Sequence, residues 1–343
     1  MNKEQLRNIA KAMVEKGKGI LAADESTPTC GKRFDSIGVE STEINRNTYR
    51  DLLFTTNGME EFISGVILFD ETLRQSTISD STPFPQYLSG KGVIPGIKVD
   101  KGAKELAAHS REKVTEGLDG LNERMSEYYQ LGARFAKWRA VITIGEGIPS
   151  ETCIHVNAHA LGRYAAICQK AGIVPIVEPE VLMDGDHSIE ICHEVSRNMF
   201  TKVFEDLDKQ SVYLEGIVLK PNMIVSGLEC NEQAGPEEVA DRTVECLKET
   251  VPEDVPGCAF LSGGQSNENA TANLNMMNVK HGDSLPWNLT FSYGRALQAS
   301  TLQTWGGKSS NILSAQDAFY RRAKFNGMAT IGAYSEELEL VTV

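Results

Sequence analysis

No apolar run in this chain approaches the roughly 18 residues that a membrane-spanning helix requires. It also lacks any CxxC pair. Its seven cysteines (Cys30, Cys153, Cys168, Cys192, Cys230, Cys246 and Cys258) are odd in number and scattered, which speaks against a zinc ribbon or a disulfide framework and fits reduced thiols. Cations are scarce, 34 Lys and Arg against 47 Asp and Glu, and the net charge of −13 argues against a nucleic-acid binder, which needs a basic stripe. There is no low-complexity segment, Gly/Ser linker or long charge block. The N-terminus has no apolar stretch of the signal-peptide kind. Instead Leu6, Ile9, Ala10, Met13 and Val14 recur at helical spacing, which predicts an amphipathic helix lying on a core. Together these features predict a cytoplasmic protein that engages neither membrane nor nucleic acid.

What the 343 residues do contain is alternation: short apolar runs, then polar loops, then helical patterns. The runs occupy 17–26, 63–71, 93–100, 133–141, 173–180, 215–222, 257–264 and 288–295. Helical periodicity marks 150–171, 187–210 and 236–250, with Asp186 or His187 opening the second of these after a turn at Gly185. Continuous apolar runs indicate strands buried on both faces, as in parallel sheets. Strand–helix repetition over the whole chain predicts an α/β fold, a closed (β/α)8 TIM barrel with extra N-terminal helices, for which an open doubly wound sheet is the competitor. Residues 1–343 read as one such domain, with a C-terminal tail from about residue 328. The N-terminal helix and a helix over 41–56 are expected to join the outer ring, and a helix over 314–327 to follow the last strand.

The ends of the runs are the informative part. They carry Asp24-Glu25-Ser26, Asp70-Glu71, Lys98, Lys137 with Arg139, Glu178 with Glu180, Lys220, Ser262-Gly263-Gly264 and Ser292-Tyr293-Gly294-Arg295. In a barrel the C-terminal strand ends converge on one mouth, where active sites sit. Lys220 follows four apolar residues and precedes Pro221. Seated at the mouth beside Lys98 and Lys137, such a lysine is expected to give up its proton through desolvation and like charge, and a free amine attacks a ketone. Glu178 and Glu180, separated by Pro179, point the same way from an extended strand and provide a carboxylate pair for acid–base work. Asp24 is placed to take a proton from a substrate hydroxyl.

Barrels bind phosphate preferentially in the loops after strands 7 and 8. Here those loops are Ser262-Gly263-Gly264 and Ser292-Tyr293-Gly294-Arg295, whose glycines admit an anion to backbone N–H groups and whose arginine offers a fork of donors. Across the mouth Ser26, Thr29, Lys32, Arg33 and Lys98 form a second candidate phosphate site, which suggests a bisphosphate stretched over the opening. His155 and His159, spaced i, i+4 near Cys153, are the basis of a rival metal-dependent reading, but their segment belongs to an outer helix far from the strand ends. The preferred reading requires no metal and no cofactor. A non-catalytic scaffold on the same fold is the remaining alternative.

The segments GILAADES, GVILFDETL, GIKVDKG, EGLDGL, FAKWR, GIVPIVEPE, YLEGIVLKPNM, FLSGGQS and LTFSYGRALQAS closely resemble class I fructose-1,6-bisphosphate aldolase, in order, from about residue 3 to about 327. The resemblance implies that Lys220 is the Schiff-base lysine, Glu178 the acid/base for imine formation and Asp24 the base at the C4 hydroxyl. Lys137 would support the neighbouring charges and Glu180 the proton network. Ser262, Gly263, Ser292, Gly294 and Arg295 resemble the C1-phosphate site, and Ser26, Thr29, Arg33 and Lys98 the C6-phosphate side. The substrate implied is a phosphosugar, and the assembly implied is a homotetramer. Two departures stand out. Thr29 replaces the serine of many relatives while keeping the hydroxyl. Animal members end in a tyrosine that assists proton exchange, whereas this chain ends YSEELELVTV, so either water, Tyr334 or another group is expected to handle that proton or the step is expected to be slower.

Overall fold

The computed structural model describes residues 1–340, so the last three residues of the YSEELELVTV segment lie outside the described residues. Its strands are β1 (Gly19–Ala23), β2 (Ile63–Leu68), β3 (Ile94–Lys98), β4 (Ala103–Glu105), β5 (Lys113–Thr115), β6 (Phe135–Ile142), β7 (Val174–Val181), β8 (Val218–Leu219), β9 (Gly257–Phe260) and β10 (Asn288–Tyr293). All but β4 and β5 close into a barrel in the order β1-β10-β9-β8-β7-β6-β3-β2. Neighbours are parallel throughout, and Ile20 opposite Ser292 closes the ring. Each apolar run of the sequence is therefore a barrel strand, buried on both faces as an unbroken apolar run requires.

The helices are α1 (Lys3–Met13), α2 (Thr27–Asp35), α3 (Glu43–Phe54), α4 (Asp70–Leu73), α5 (Phe84–Gly90), α6 (Leu121–Gln130), α7 (Glu151–Lys170), α8 (Ile189–Lys209), α9 (Pro236–Thr250), α10 (Asn267–His281), α11 (Arg295–Trp305), α12 (Ile312–Ala329) and α13 (Glu337–Leu340). α8 opens one or two residues later than its periodicity suggests, with Ser188 at the N-cap, and His187 is buried instead. Among the described residues no helix is long and apolar enough to cross a membrane.

Alternation along each strand sorts side chains into two cores. Outward residues such as Leu21, Ala136, Trp138, Val177 and Leu219 pack beneath the helices, where Trp138 lies 5.6 Å from Tyr164 of α7 and α3 contributes Tyr49, Leu52 and Leu53. Inward residues Ile20, Ala22, Ile67, Phe135, Val174, Ile176, Val218 and Ala259 fill the barrel. Gly96 of β3 is the complement of Phe135: a Cβ there would overlap its ring.

α1 does not join the outer ring. Its apolar stripe, Leu6, Ala10, Met13 and Val14, belongs to the interior cluster and plugs the floor of the barrel. Ser64 Oγ donates to the Met13 carbonyl (2.7 Å) and Asn288 Nδ2 to the Val14 carbonyl (3.0 Å), tying the end of the plug to β2 and β10. The physical reason is that a ring of strands leaves its interior apolar layer open at one end, and an amphipathic helix is the nearest cover. Its stripe reveals only that it lies on a core, not which core.

The β4–β5 hairpin also escapes the sequence pattern, because three residues per strand are too few to show alternation. It stands on the rim, where Thr115 Oγ1 donates to the Arg139 carbonyl (2.7 Å). Beyond α12 the chain runs back along α10: the Tyr334 N–H donates to Asn275 Oδ1 (3.0 Å), and Arg321 donates to the carbonyls of Leu338 and Glu339 at 2.9 and 2.6 Å.

Candidate active site

The alternation that places Ile20, Val174, Ile176 and Val218 inside the barrel continues upward on the same faces. One or two steps on come Asp24 after Ala22, Lys98 after Gly96, Lys137 and Arg139 after Phe135, Glu178 and Glu180 after Ile176, and Lys220 after Val218. All of these residues line one cleft of about 410 Å³ at the C-terminal ends of the strands. The short strand β8 delivers Lys220 directly into it.

At its centre, charges of opposite sign alternate. Lys220 Nζ lies 3.2 Å from Glu178 Oε1, Glu178 Oε2 lies 3.4 Å from Lys137 Nζ, and Lys137 Nζ lies 2.8 Å from Asp24 Oδ2. Lys137, Glu178 and Lys220 are all buried. The sequence reading has the lysines crowding one another as like charges. Instead each is interleaved with carboxylates, and Lys98 is held at the side by Asp100 (2.6 Å to Oδ1, 2.8 Å to its carbonyl).

Burial by itself would push Asp24 up, but the ammonium groups of Lys137, Lys220 and Lys98 outweigh it and hold the carboxyl far below its usual range. Burial would likewise pull Lys137 down, and is outweighed by Asp24, Glu178 and Asp100, so Lys137 stays protonated well above the usual lysine range. Glu178 and Glu180 both point inward, as their spacing requires, yet they do not pair with each other. Glu180 pairs with Arg139.

Two anion-receptive edges flank this centre. On one, Ser262, Gly263, Ser292, Gly294 and Arg295 line the cleft. Gly263 has φ +57°, a left-handed turn that a glycine adopts without strain, and Arg295 Nη2 donates to its carbonyl (2.6 Å). Ser292 Oγ is buried with no hydrogen-bond partner among the described residues. α11 begins at Arg295, so its first backbone N–H groups open toward this edge. On the other edge, Ser26 Oγ and Thr29 Oγ1 lie 3.1 Å apart in the first turn of α2, beside Arg33 and Lys98.

The structure also revises the list of candidates. Lys32 is exposed on α2 and does not line the cleft, because its neighbour Arg33 takes the inward position. Gly264 stays outside as well, its N–H donating to the sulfur of Met183 (2.9 Å). Asp70 and Glu71 form ion pairs with Arg74 (3.1 Å) and Arg46 (2.6 Å), so the polar end of β2 is structural. Tyr334 lies against α10 and α12 with its hydroxyl 3.0 Å from Glu339, and burial followed by that carboxylate pushes its phenol well up. It is not among the groups around the cleft.

The sequence pattern assigns no role to Glu25 or Asp100, although both sit at the ends of apolar runs. Glu25 is a buried carboxylate that pairs with Arg33 and with Arg50 (2.5 Å), and Gln298 Nε2 donates to it (3.0 Å), so it orients the cation of the second edge. A carboxylate next to a stronger candidate gives no signal of its own in sequence. Gly102 and Ala103, from the unforeseen hairpin, complete the wall. His155 and His159 are exposed on α7 with rings 6.3 Å apart, whereas Cys153 is buried against the Lys113 carbonyl (3.6 Å), so the three do not converge. Among the described residues no group of three or more His, Cys, Asp and Glu side chains is arranged to hold a metal ion.

The family described as "Glycolytic: Fructose-bisphosphate aldolase class-I" matches residues 5–342. The chain belongs to that family. A probable class 1 fructose-bisphosphate aldolase of Xanthomonas campestris is 57% identical over 335 residues, covering 97% of this chain and 99% of its own length. A cytosolic fructose-bisphosphate aldolase of Arabidopsis thaliana is 55% identical over 324 residues, 94% of this chain and 82% of its own. A solved structure of the Plasmodium falciparum fructose-bisphosphate aldolase, in complex with TRAP and a small molecule inhibitor, superposes with a TM-score of 0.95 at 51% identity, covering 97% of this chain and 96% of that one. The enzyme is thus a class I fructose-bisphosphate aldolase, a lyase on a TIM barrel, as the motifs around Lys220 imply.

Proposed function

We propose that Lys220 is the amine that forms the imine, and that the buried Lys220–Glu178 contact of 3.2 Å is what equips it to do so. In this reading Lys220 passes a proton to Glu178 across that contact, and the freed amine attacks C2 of fructose 1,6-bisphosphate to form a carbinolamine. Glu178 delivers a proton to the departing oxygen, water leaves, and a cationic imine remains. Asp24 takes the proton of the C4 hydroxyl, the C3–C4 bond breaks, and its electron pair flows into the imine to give an enamine. Glyceraldehyde 3-phosphate departs. Protonation of the enamine at C3 and attack of water on the imine then release dihydroxyacetone phosphate and the free lysine.

Lys137, 2.8 Å from Asp24, keeps that carboxylate ionised and ready to accept the proton, while Glu180 with Arg139 extends the network. The edge of Ser262, Gly263, Ser292, Gly294 and Arg295 is assigned to the C1 phosphate, with Gly264 behind it. Ser26, Thr29, Arg33 and Lys98 are assigned to the C6 phosphate. The orphaned Ser292 hydroxyl supports the first assignment, since a buried polar group without a partner is unfavourable until a ligand satisfies it. The second edge requires Arg33 and Lys98 to share their charge with Glu25 and Asp100, so phosphate is held there by rearranged ion pairs. We further propose that residues 1–343 act as one domain in the cytoplasm and assemble as the homotetramer that the family resemblance implies.

Borohydride reduction in the presence of fructose 1,6-bisphosphate should fix one triose phosphate to Lys220, read by peptide mass. Label on another lysine, or none, overturns the assignment. Cleavage should persist in excess chelator.

A further inference from the structure

α3 follows α2 with no strand between them, and its buried face carries a charge. Tyr49 seats the helix, its ring 5.8 Å from Phe34 of α2 and 5.3 Å from Trp305 of α11. The next residue, Arg50, is 3% exposed and reaches the end of β1, where its Nη2 donates to Glu25 Oε2 at 2.5 Å. Burial works against this guanidinium and is outweighed, by Glu25 above all, so Arg50 stays charged. It does not line the cleft.

Glu25 divides its two oxygens. Oε2 takes Arg50, while Oε1 takes Arg33 and Gln298 Nε2 (3.0 Å), which also donates to the Ala22 carbonyl (2.7 Å) and so ties the carboxylate to β1. Arg33 does line the cleft. It commits Nη1 to Glu25, and its Nη2 lies 3.6 Å from where a Cβ would stand on Gly294. Two guanidinium groups on one carboxylate leave one positive charge uncompensated, and Arg33 is the member that faces the opening. With Arg33 and Glu25 alone, the pair would be neutral. An anion that drew Arg33 away would then strand a buried carboxylate, which is costly. With Arg50 in place, Glu25 keeps a cation whichever way Arg33 turns.

We propose that Arg50 is a positioning residue for phosphate recognition: it is the resident counter-ion of Glu25, and by balancing that carboxylate from behind it frees the charge of Arg33 for the substrate. This rests on the assignment of Arg33 to the C6 phosphate made above. Arg50 touches no substrate, so its effect passes entirely through Glu25, and it is needed only while Glu25 carries a charge.

The test compares the full-length enzyme with Arg50→Met, Arg50→Lys and the double variant Arg50→Met with Glu25→Gln. The readouts are kcat and KM for fructose 1,6-bisphosphate and for fructose 1-phosphate, which lacks the C6 phosphate. Arg50→Met should raise KM for the bisphosphate about five- to ten-fold, the difference between a charge-assisted and a neutral hydrogen bond, with kcat little changed. KM for the monophosphate should not follow. Arg50→Lys, which keeps the charge, should stay closer to the parent. The double variant should recover most of the loss, because an uncharged Gln at position 25 needs no counter-ion. Should Arg50→Met fail to fold, the other two still decide. A double variant as impaired as Arg50→Met, a lysine variant that loses as much, or a parental KM in Arg50→Met overturns the proposal. A loss shared by both ketoses and restored in the double variant upholds the counter-ion and moves Arg33 to the C1 phosphate, so failure of the phosphate assignment is distinguishable.

Discussion

Asp24 Oδ2 and Lys137 Nζ meet at 2.8 Å across the mouth of the barrel, although β1 and β6 are separated in the sheet by β2 and β3. The same ammonium lies 3.4 Å from Glu178, so one cation joins the carboxylate assigned to the C4 proton to the one assigned to the imine. Lys137 is thus the hinge of the charge arrangement.

Replacing Lys137 by Met should destabilise the fold by about 3–5 kcal/mol at pH 7, the range for removing one partner of a buried ion pair. The pH dependence follows from the shifts. The folded value of Asp24 is depressed, so its contribution is present above its unfolded value of about 3.9 and is lost as pH falls through the folded value. The folded value of Lys137 is raised, so its contribution is present below about 10.4 and is lost as pH rises through the folded value. Between pH 5 and 8 the parent's contribution from this pair is therefore flat. Without Lys137, burial is opposed only by Lys220 and Lys98, so Asp24 moves up toward protonation and the penalty should shrink between pH 7 and pH 5. Urea unfolding of both proteins at the two pH values checks this, and an equal penalty at both would contradict it.

Glu178→Gln should lower kcat about 10²–10⁴-fold, the usual contribution of a positioned acid–base group. Borohydride trapping should slow with it, because imine formation itself needs the proton. KM should change little, since the phosphates are held at the edges of the cleft. Unimpaired trapping would move the acid–base role to another residue.

Arg295→Ala should raise KM by the equivalent of about 1.5–3 kcal/mol, the worth of a hydrogen bond to a charged group. That corresponds to roughly ten- to a hundred-fold. Arg295→Lys should recover only part of it, because an ammonium restores charge but not the planar fork that now also braces the Gly263 carbonyl. Steady-state kinetics with an unchanged KM for Arg295→Ala would place the C1 phosphate elsewhere.

Leu6→Ala should destabilise the protein by about 2–5 kcal/mol, as for a fully buried leucine, with KM unaffected. Chemical denaturation reads the first and kinetics the second. A loss well under 1 kcal/mol would mean that α1 does not plug the barrel in solution.

Much of the site was legible because its residues are tied to strand ends. The inward alternation that buries Ile176 also aims Glu178 and Glu180 into the mouth, and Val218 does the same for Lys220. Pattern alone could not separate Arg33 from Lys32, since adjacent residues on a helix differ only in the face they present. Nor could it foresee that Met183, far from Gly264 in the chain, would take the N–H of that glycine, or that Glu25 would hold two arginines.

The eight barrel strands, their inward and outward faces and most of the charged groups at the mouth follow from local pattern, because period-two burial is a property of an extended chain. Only the tertiary structure decided which of those groups meet. Ring closure brings Asp24 to Lys137, α1 to the floor and Met183 to Gly264, and a contact between segments distant in sequence depends on how the whole sheet curves, which no local pattern encodes.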